Sequence, residues 1–325
     1  MFSFFKHNTS LQFAIVLVAE MVLWAGAFIA PIPMAEGDGG VLYGLLYSML
    51  GGVPLMATVV AFLLLFGEGF LFNHILYRCR LVSHNTFMPM LMYVVMMSCQ
   101  QSSHTLTPML VLNMVILVML MCVLVRDVQP VLSSEAIFSF TTLFAIATMV
   151  TPKAVVLLPM VLLIVVLYKL YNMRELALCL LGFLAPYVVW VMYYFLTDGL
   201  SEAFLTLWQR VAALRIEVSA TSIVDYVQVA IYGITLLLAL FFRKQVRRSN
   251  LVVDNNNNAI LYALFVCGGG LLFYGSLFPF SYQLFAMPYA YTVSLLFLGA
   301  GRHWLWKVLF ALWAVVSVVG AYIYV

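Results

Sequence analysis

The placement of positive charge constrains this chain more than any other feature. Twelve of its fifteen Lys and Arg residues fall in six short clusters: Lys6, Arg78/Arg80, Arg126, Lys169/Arg174, Arg243/Lys244/Arg247/Arg248 and Arg302/Lys307. Between successive clusters the chain runs through enough apolar residues to cross a bilayer and return. Basic residues close to span ends stay in the cytoplasm. The clusters therefore predict a cytoplasmic N-terminus, paired crossings and loops that alternate sides. Lys153, Arg210 and Arg215 are the exceptions, and they fall on the outer side. Composition agrees: charged residues make up 8% of the chain and apolar residues 66%, where a soluble domain carries roughly 25% charge. A chain of 325 residues cannot bury that much apolar surface against itself, so lipid must be the solvent. The fold class expected is all-α, a polytopic transmembrane bundle over residues 1–325 as one integral membrane domain. The basic residues are accounted for by orientation, and nothing points to nucleic acid.

The apolar runs predict about eleven spans. The first is about Leu11–Ala30, read as a retained span and not a signal peptide, because Glu20 interrupts it and no small-residue cleavage site precedes it. A turn-rich outer loop follows, Pro31 to Gly40. Val41–Leu50 is too short to cross and is expected to lie at the outer interface, before span 2 at about Pro54–Ile75. Spans 3 and 4 form a hairpin, about Phe87–Gln101 and Pro108–Val125, around Ser102 to Thr107. Spans 5 and 6 form another, about Ala136–Val150 and Ala154–Leu170, around Thr151-Pro152-Lys153. These arms are short for a bilayer. Span 7 is about Leu176–Leu196. Next, Phe204, Leu207, Trp208, Val211, Ala212 and Leu214 recur at helical spacing, a second outer interfacial helix. Spans 8 to 11 are about Tyr226–Phe242, Ala259–Leu277, Gln283–Gly299 and Leu305–Tyr324, which leaves the C-terminus outside. Every span must be helical, since backbone groups in lipid need partners within their own segment. The cysteines at 79, 99, 122, 179 and 267 have no CxxC spacing and read as apolar filler.

Several residues invite a chemical role. Glu20 sits mid-span, where an ionised acid is costly unless it faces a polar interior or takes a proton; it is either a pathway acid or a structural hydrogen-bonding group. Glu68 lies toward the inner end of span 2, where it is expected to reach the headgroups. Glu36 and Asp38 stand two apart in the Gly-rich first outer loop. Such a pair can hold a divalent ion, or one acid can act as a general base; an ordinary polar loop is the bland alternative. Lys153 defies the orientation rule, which suits an anionic headgroup or a substrate phosphate as well as a snorkelling lysine. Arg210 and Arg215 can clamp a diphosphate or simply line the polar face of an interfacial helix. His104, among Ser and Thr on the outer side, is a substrate-binding candidate or a hydrogen-bonded loop residue.

The stretch Thr151-Pro-Lys153-Ala-Val-Val-Leu-Leu-Pro159-Met-Val-Leu-Leu resembles the threonine–lysine turn and following Leu/Pro-rich span of GT-C glycosyltransferases. Arg174 to Gly182, Pro186-Tyr187 and Tyr193-Tyr194 to Gly199 are similar to the span that follows there. An acidic loop after span 1, then an interfacial helix, then span 2 also fits that layout. The resemblance implies a GT-C-like fold and transfer of a sugar from a polyprenyl-phosphate donor at the periplasmic face. It also implies a catalytic acid in the first outer loop, which maps onto Glu36 or Asp38. The chain departs from the pattern in being short and having no soluble outer domain. Residues Asn73-His74 through Arg80-Leu-Val-Ser-His-Asn85-Thr-Phe-Met-Pro89 resemble, more closely, a family of multi-span bacterial inner-membrane proteins, which implies a location but no activity.

Three functions follow as expectations. In the first, a glycosyltransferase uses Glu36 or Asp38 as base or metal ligand, and Lys153, Arg210 and Arg215 hold the donor phosphate. In the second, a transporter or flippase of lipid-linked substrates is lined by Glu20 and Glu68. The third is a non-catalytic membrane subunit of an envelope assembly.

Overall fold

The computed structural model describes residues 9–34, 39–79, 81–82, 86–99, 104–124, 132–199, 201, 204–205, 208–209, 223–246, 258–268, 281–299 and 304–322. Among them the regular structure is helical throughout. The helices are α1 Thr9–Ile29, α2 Val41–Leu50, α3 Pro54–Arg78, α4 Met88–Met97, α5 Pro108–Leu124 and α6 Ser134–Val150. A 3₁₀ turn, Pro152–Leu157, leads into α7 Leu158–Leu167. Then come α8 Met173–Leu196, α9 Ile223–Val246, α10 Asn258–Gly268, α11 Ser281–Gly299 and α12 Trp304–Tyr322. Three are long and apolar enough to cross a membrane: Leu11–Ile29, Pro54–Arg78 and Met173–Leu196.

Local chemistry sets the boundaries. Pro54 opens α3 within its first turn, where a missing N–H is harmless. Ser133 caps α6, its Oγ accepting from the Ala136 amide at 3.4 Å. Asn172 and Glu175 form a capping box, so α8 starts at Met173, three residues before the sequence-predicted span. Pro152, just ahead of the expected sixth span, opens a 3₁₀ turn, and Pro159 opens the helix after it, so that span is divided in two. The expected third span is shorter than Phe87–Gln101: α4 ends at Met97, and the chain turns at Ser98.

That short helix lies at the centre. All ten residues of α4 are buried, and α1, α3, α11 and α12 pack around it. A helix apolar on every side belongs in a core, and enclosure by protein removes the need to match a bilayer's thickness. Gly69 of α3 faces Val94 and Met90 of α4 at a distance that leaves little room for a side chain.

The peripheral helices are inside-out by the standard of soluble proteins. Along α1, Gln12, Val16, Glu20 and Trp24 form the buried stripe, while Leu11, Ile15, Val18, Val22 and Ile29 are exposed. In α8, Leu180, Leu184, Val188, Met192 and Phe195 are exposed, and only Gly182 and Trp190 are buried. The expected interfacial helix after α8 lies mostly outside the described residues, although Phe204 meets Trp190 edge-on at 5.6 Å.

Candidate functional site

Two polar regions lie buried among these apolar helices. The deeper one sits where α1, α3 and α4 meet. Glu68 had been expected to reach the inner headgroups; instead it is fully buried, like Glu20. The reason lies in packing: Glu68 is on the α3 face that also carries Leu65, Phe72 and Ile75, all turned inward. Its Oε2 accepts from the Tyr93 hydroxyl of α4 at 2.8 Å. The Phe72 ring packs 5.5 Å from Tyr93. Glu20 lies on the buried face of α1, which packs on α3 and α4. Both oxygens of Glu20 and Oε1 of Glu68 have no hydrogen-bond partner among the described residues.

One helical turn along α1 from Glu20, Trp24 begins the second region. Its indole N–H donates to Ser98 Oγ at 2.9 Å. The Trp24 ring lies 4.8 Å from that of His104. His104 Nε2 lies 2.9 Å from the Ser98 carbonyl oxygen; a carbonyl only accepts, so Nε2 carries the hydrogen. Burial pushes this imidazole down to about 4. His104 is therefore a neutral, buried residue that closes the α4–α5 turn.

Neighbouring turns join the same end of the bundle. The Tyr43 hydroxyl of α2 donates to the Leu106 carbonyl at 2.8 Å. The Gly40 amide donates to the Val150 carbonyl at 2.6 Å, which ties the end of the first loop to the α6–α7 turn. Gly40 has no alternative residue here, because a Cβ would collide with the Met149 carbonyl. Lys153, on that turn, is half-buried and already engaged in an interaction. Gln228 of α9 reaches the Cys99 carbonyl at 3.3 Å, and the Tyr322 hydroxyl near the end of α12 donates to the Val22 carbonyl of α1. The opposite end has its own ties: Phe87 N–H to Gln12 Oε1 at 2.9 Å, and Tyr168 hydroxyl to the Val123 carbonyl at 3.4 Å.

The structure thus brings Glu20 and Glu68 together and sets His104 and Lys153 in two turns of one rim. Glu36, Asp38, Arg210 and Arg215 lie outside the described residues. Among the described residues no group of three or more His, Cys, Asp or Glu side chains could hold a metal ion. Reading the sequence did not find Tyr93, Ser98 or Trp24. Tyr93 had a signal, a single hydroxyl inside an apolar ten-residue run, since buried tyrosines seek a partner for their O–H. Trp24 had one too, four residues beyond Glu20 and so on the same helix face. No protein-family model, curated protein or solved structure matches this chain.

Proposed function

We infer that the chain is an integral protein of the bacterial inner membrane, with a cytoplasmic N-terminus and a periplasmic C-terminus. We further infer that it acts on a polyprenyl-phosphate-linked sugar at the periplasmic rim, as a GT-C-like transferase. Membrane residence is supported by three helices of spanning length and by apolar side chains turned outward around buried polar ones. The distribution of Lys and Arg supports the orientation. The donor class comes from the resemblance of the Thr151-Pro-Lys153 turn and the span after it.

One observation carries the transferase reading: the 2.6 Å bond from the Gly40 amide to the Val150 carbonyl. Asp38 precedes Gly40 by two residues, and Lys153 follows Val150 by three. This bond therefore ties together the two segments that bear the expected catalytic acids and the expected phosphate-binding cation. In this reading Glu36 or Asp38 takes the proton of the acceptor hydroxyl, or the pair holds a divalent ion at the donor phosphate. Lys153 neutralises the departing phosphate, and Arg210 and Arg215 add bidentate contacts.

Co-purified lipids, identified by mass spectrometry, test this. Wild type is expected to carry polyprenyl phosphate without sugar, and a Glu36→Gln/Asp38→Asn double variant the sugar-charged donor. Gly40→Ala, which forces the two segments apart, is expected to match the double variant at unchanged protein abundance. Chelation of divalent ions gives the same lipid profile if the pair holds a metal. Identical lipids in all three proteins would overturn the transferase reading in favour of a non-catalytic membrane subunit. Sensitivity to Glu20→Gln alone would favour transport.

A further inference from the structure

The acid pair in the core is not used by the chemistry above and stands independently of it. Three of its four carboxyl oxygens have no partner among the described residues, and both side chains are fully buried. The fourth accepts from Tyr93. Glu20 and Glu68 lie on the buried faces of α1 and α3, which pack on each other and on α4; two carboxylates in such a site repel when both are ionised, and burial makes each charge expensive.

Among the described residues no cation is at hand to offset them. Among the described elements, those packed most closely on α1 and α3 are α2, α4, α5 and α12. Helices α2, α4 and α5 contain no Lys, Arg, His, Asp or Glu. On α3 itself, His74 and Arg78 follow Glu68 by six and ten residues, toward the end of the helix. In α12, Lys307 stands at the start, whereas it is Tyr322 at the other end that bonds to α1. On the rim side, His104 is neutral and bonded to Ser98. The titratable group that does face the pair is the Tyr93 hydroxyl, and it donates its hydrogen to Glu68.

Among the described residues the site holds several buried acceptors, the Tyr93 hydroxyl and the Met114 backbone against Glu68, and no countercharge, a set complementary to a proton. A proton placed on one carboxyl removes a negative charge and supplies a second donor to the unpartnered oxygens. We propose that Glu20, Glu68 and Tyr93 form a buried proton-binding site, in which the two carboxyls hold at least one proton at neutral pH and Tyr93 fixes the acceptor oxygen of Glu68. The proton comes from water at a membrane face and returns to it. The site gives the bundle a group that can change charge within its core, where α1, α3 and the central α4 meet.

Infrared spectroscopy of the full-length protein in liposomes tests this. Wild type at neutral pH is expected to show the C=O stretch of a protonated carboxyl, unaffected by sodium chloride. Tyr93→Phe should shift that band, because Glu68 loses its hydrogen-bond donor. Glu20→Gln/Glu68→Gln should remove it. The proposal is overturned if wild type lacks the band at neutral pH, or if the double variant keeps it unchanged. Loss of the band on adding sodium at constant pH also overturns it and assigns the site to a metal cation. If the double variant does not fold, the wild-type and Tyr93→Phe spectra still decide between these outcomes.

Discussion

His104 should give the protein a pH dependence of known sign. Its imidazole is held neutral in the fold with a pKa of about 4, whereas an exposed histidine titrates near 6.5. Between these values the unfolded chain binds a proton that the native chain does not. Stability is therefore full above about 6.5 and is lost as pH falls through the window, by up to about 3 kcal/mol. Thermal unfolding of wild type and His104→Gln in detergent measures this. The wild-type midpoint should fall more steeply on acidification, and equal slopes would show that His104 is not buried as described. The residue scale is also where the sequence was least informative. Glu20 stood out as an acid in a span, but its pairing with Glu68 depends on how α1 and α3 rotate against each other. Glu68 sits close enough to Arg78 in sequence to suggest an interfacial group. Only the packing of Phe72 and Leu65 against the core turns it inward.

Among the described helices, α6 and α8 pack closely along their lengths, and one proline shapes the contact. Pro186 has no N–H, so the carbonyl four residues earlier, Gly182, loses its helical partner. The Thr142 hydroxyl of α6 donates to that carbonyl at 3.0 Å. Thr142→Val should destabilise the protein by about 1 kcal/mol. In a Pro186→Ala background the loss should shrink, because the restored amide reclaims the carbonyl; a double-mutant cycle reads the difference. Gly182 also permits the close approach, since a Cβ there would collide with Thr141 Oγ1 and lie 2.7 Å from the Phe138 carbonyl. Gly182→Ala should lower stability by about 1–3 kcal/mol. Gly67→Ala, in open space within α3, should raise it by up to about 1 kcal/mol. Matching shifts in thermal midpoint for the two alanine variants would contradict this packing. Helix existence was readable from apolar runs and proline punctuation. The length of α4 was not, because an apolar run does not say whether lipid or protein surrounds it.

For the whole molecule, the turns assigned outward by charge, after α1, between α4 and α5 and between α6 and α7, are joined by hydrogen bonds at one end. Of the ends assigned inward, the start of α1 is tied to the start of α4, and the end of α5 to the end of α7. What the sequence could not supply was the convergence itself, which depends on contacts between residues such as Gly40 and Val150, 110 positions apart. The proposed chemistry requires that shared end to face the periplasm. The direct measurement uses single cysteines, Asp38→Cys, Lys153→Cys and Arg247→Cys, with the five native cysteines replaced, and a membrane-impermeant maleimide applied to intact cells. Labelling of the first two and protection of the third is the expected result. Labelling of Arg247→Cys, with the other two protected, would place the acidic loop in the cytoplasm and contradict the proposed transfer reaction.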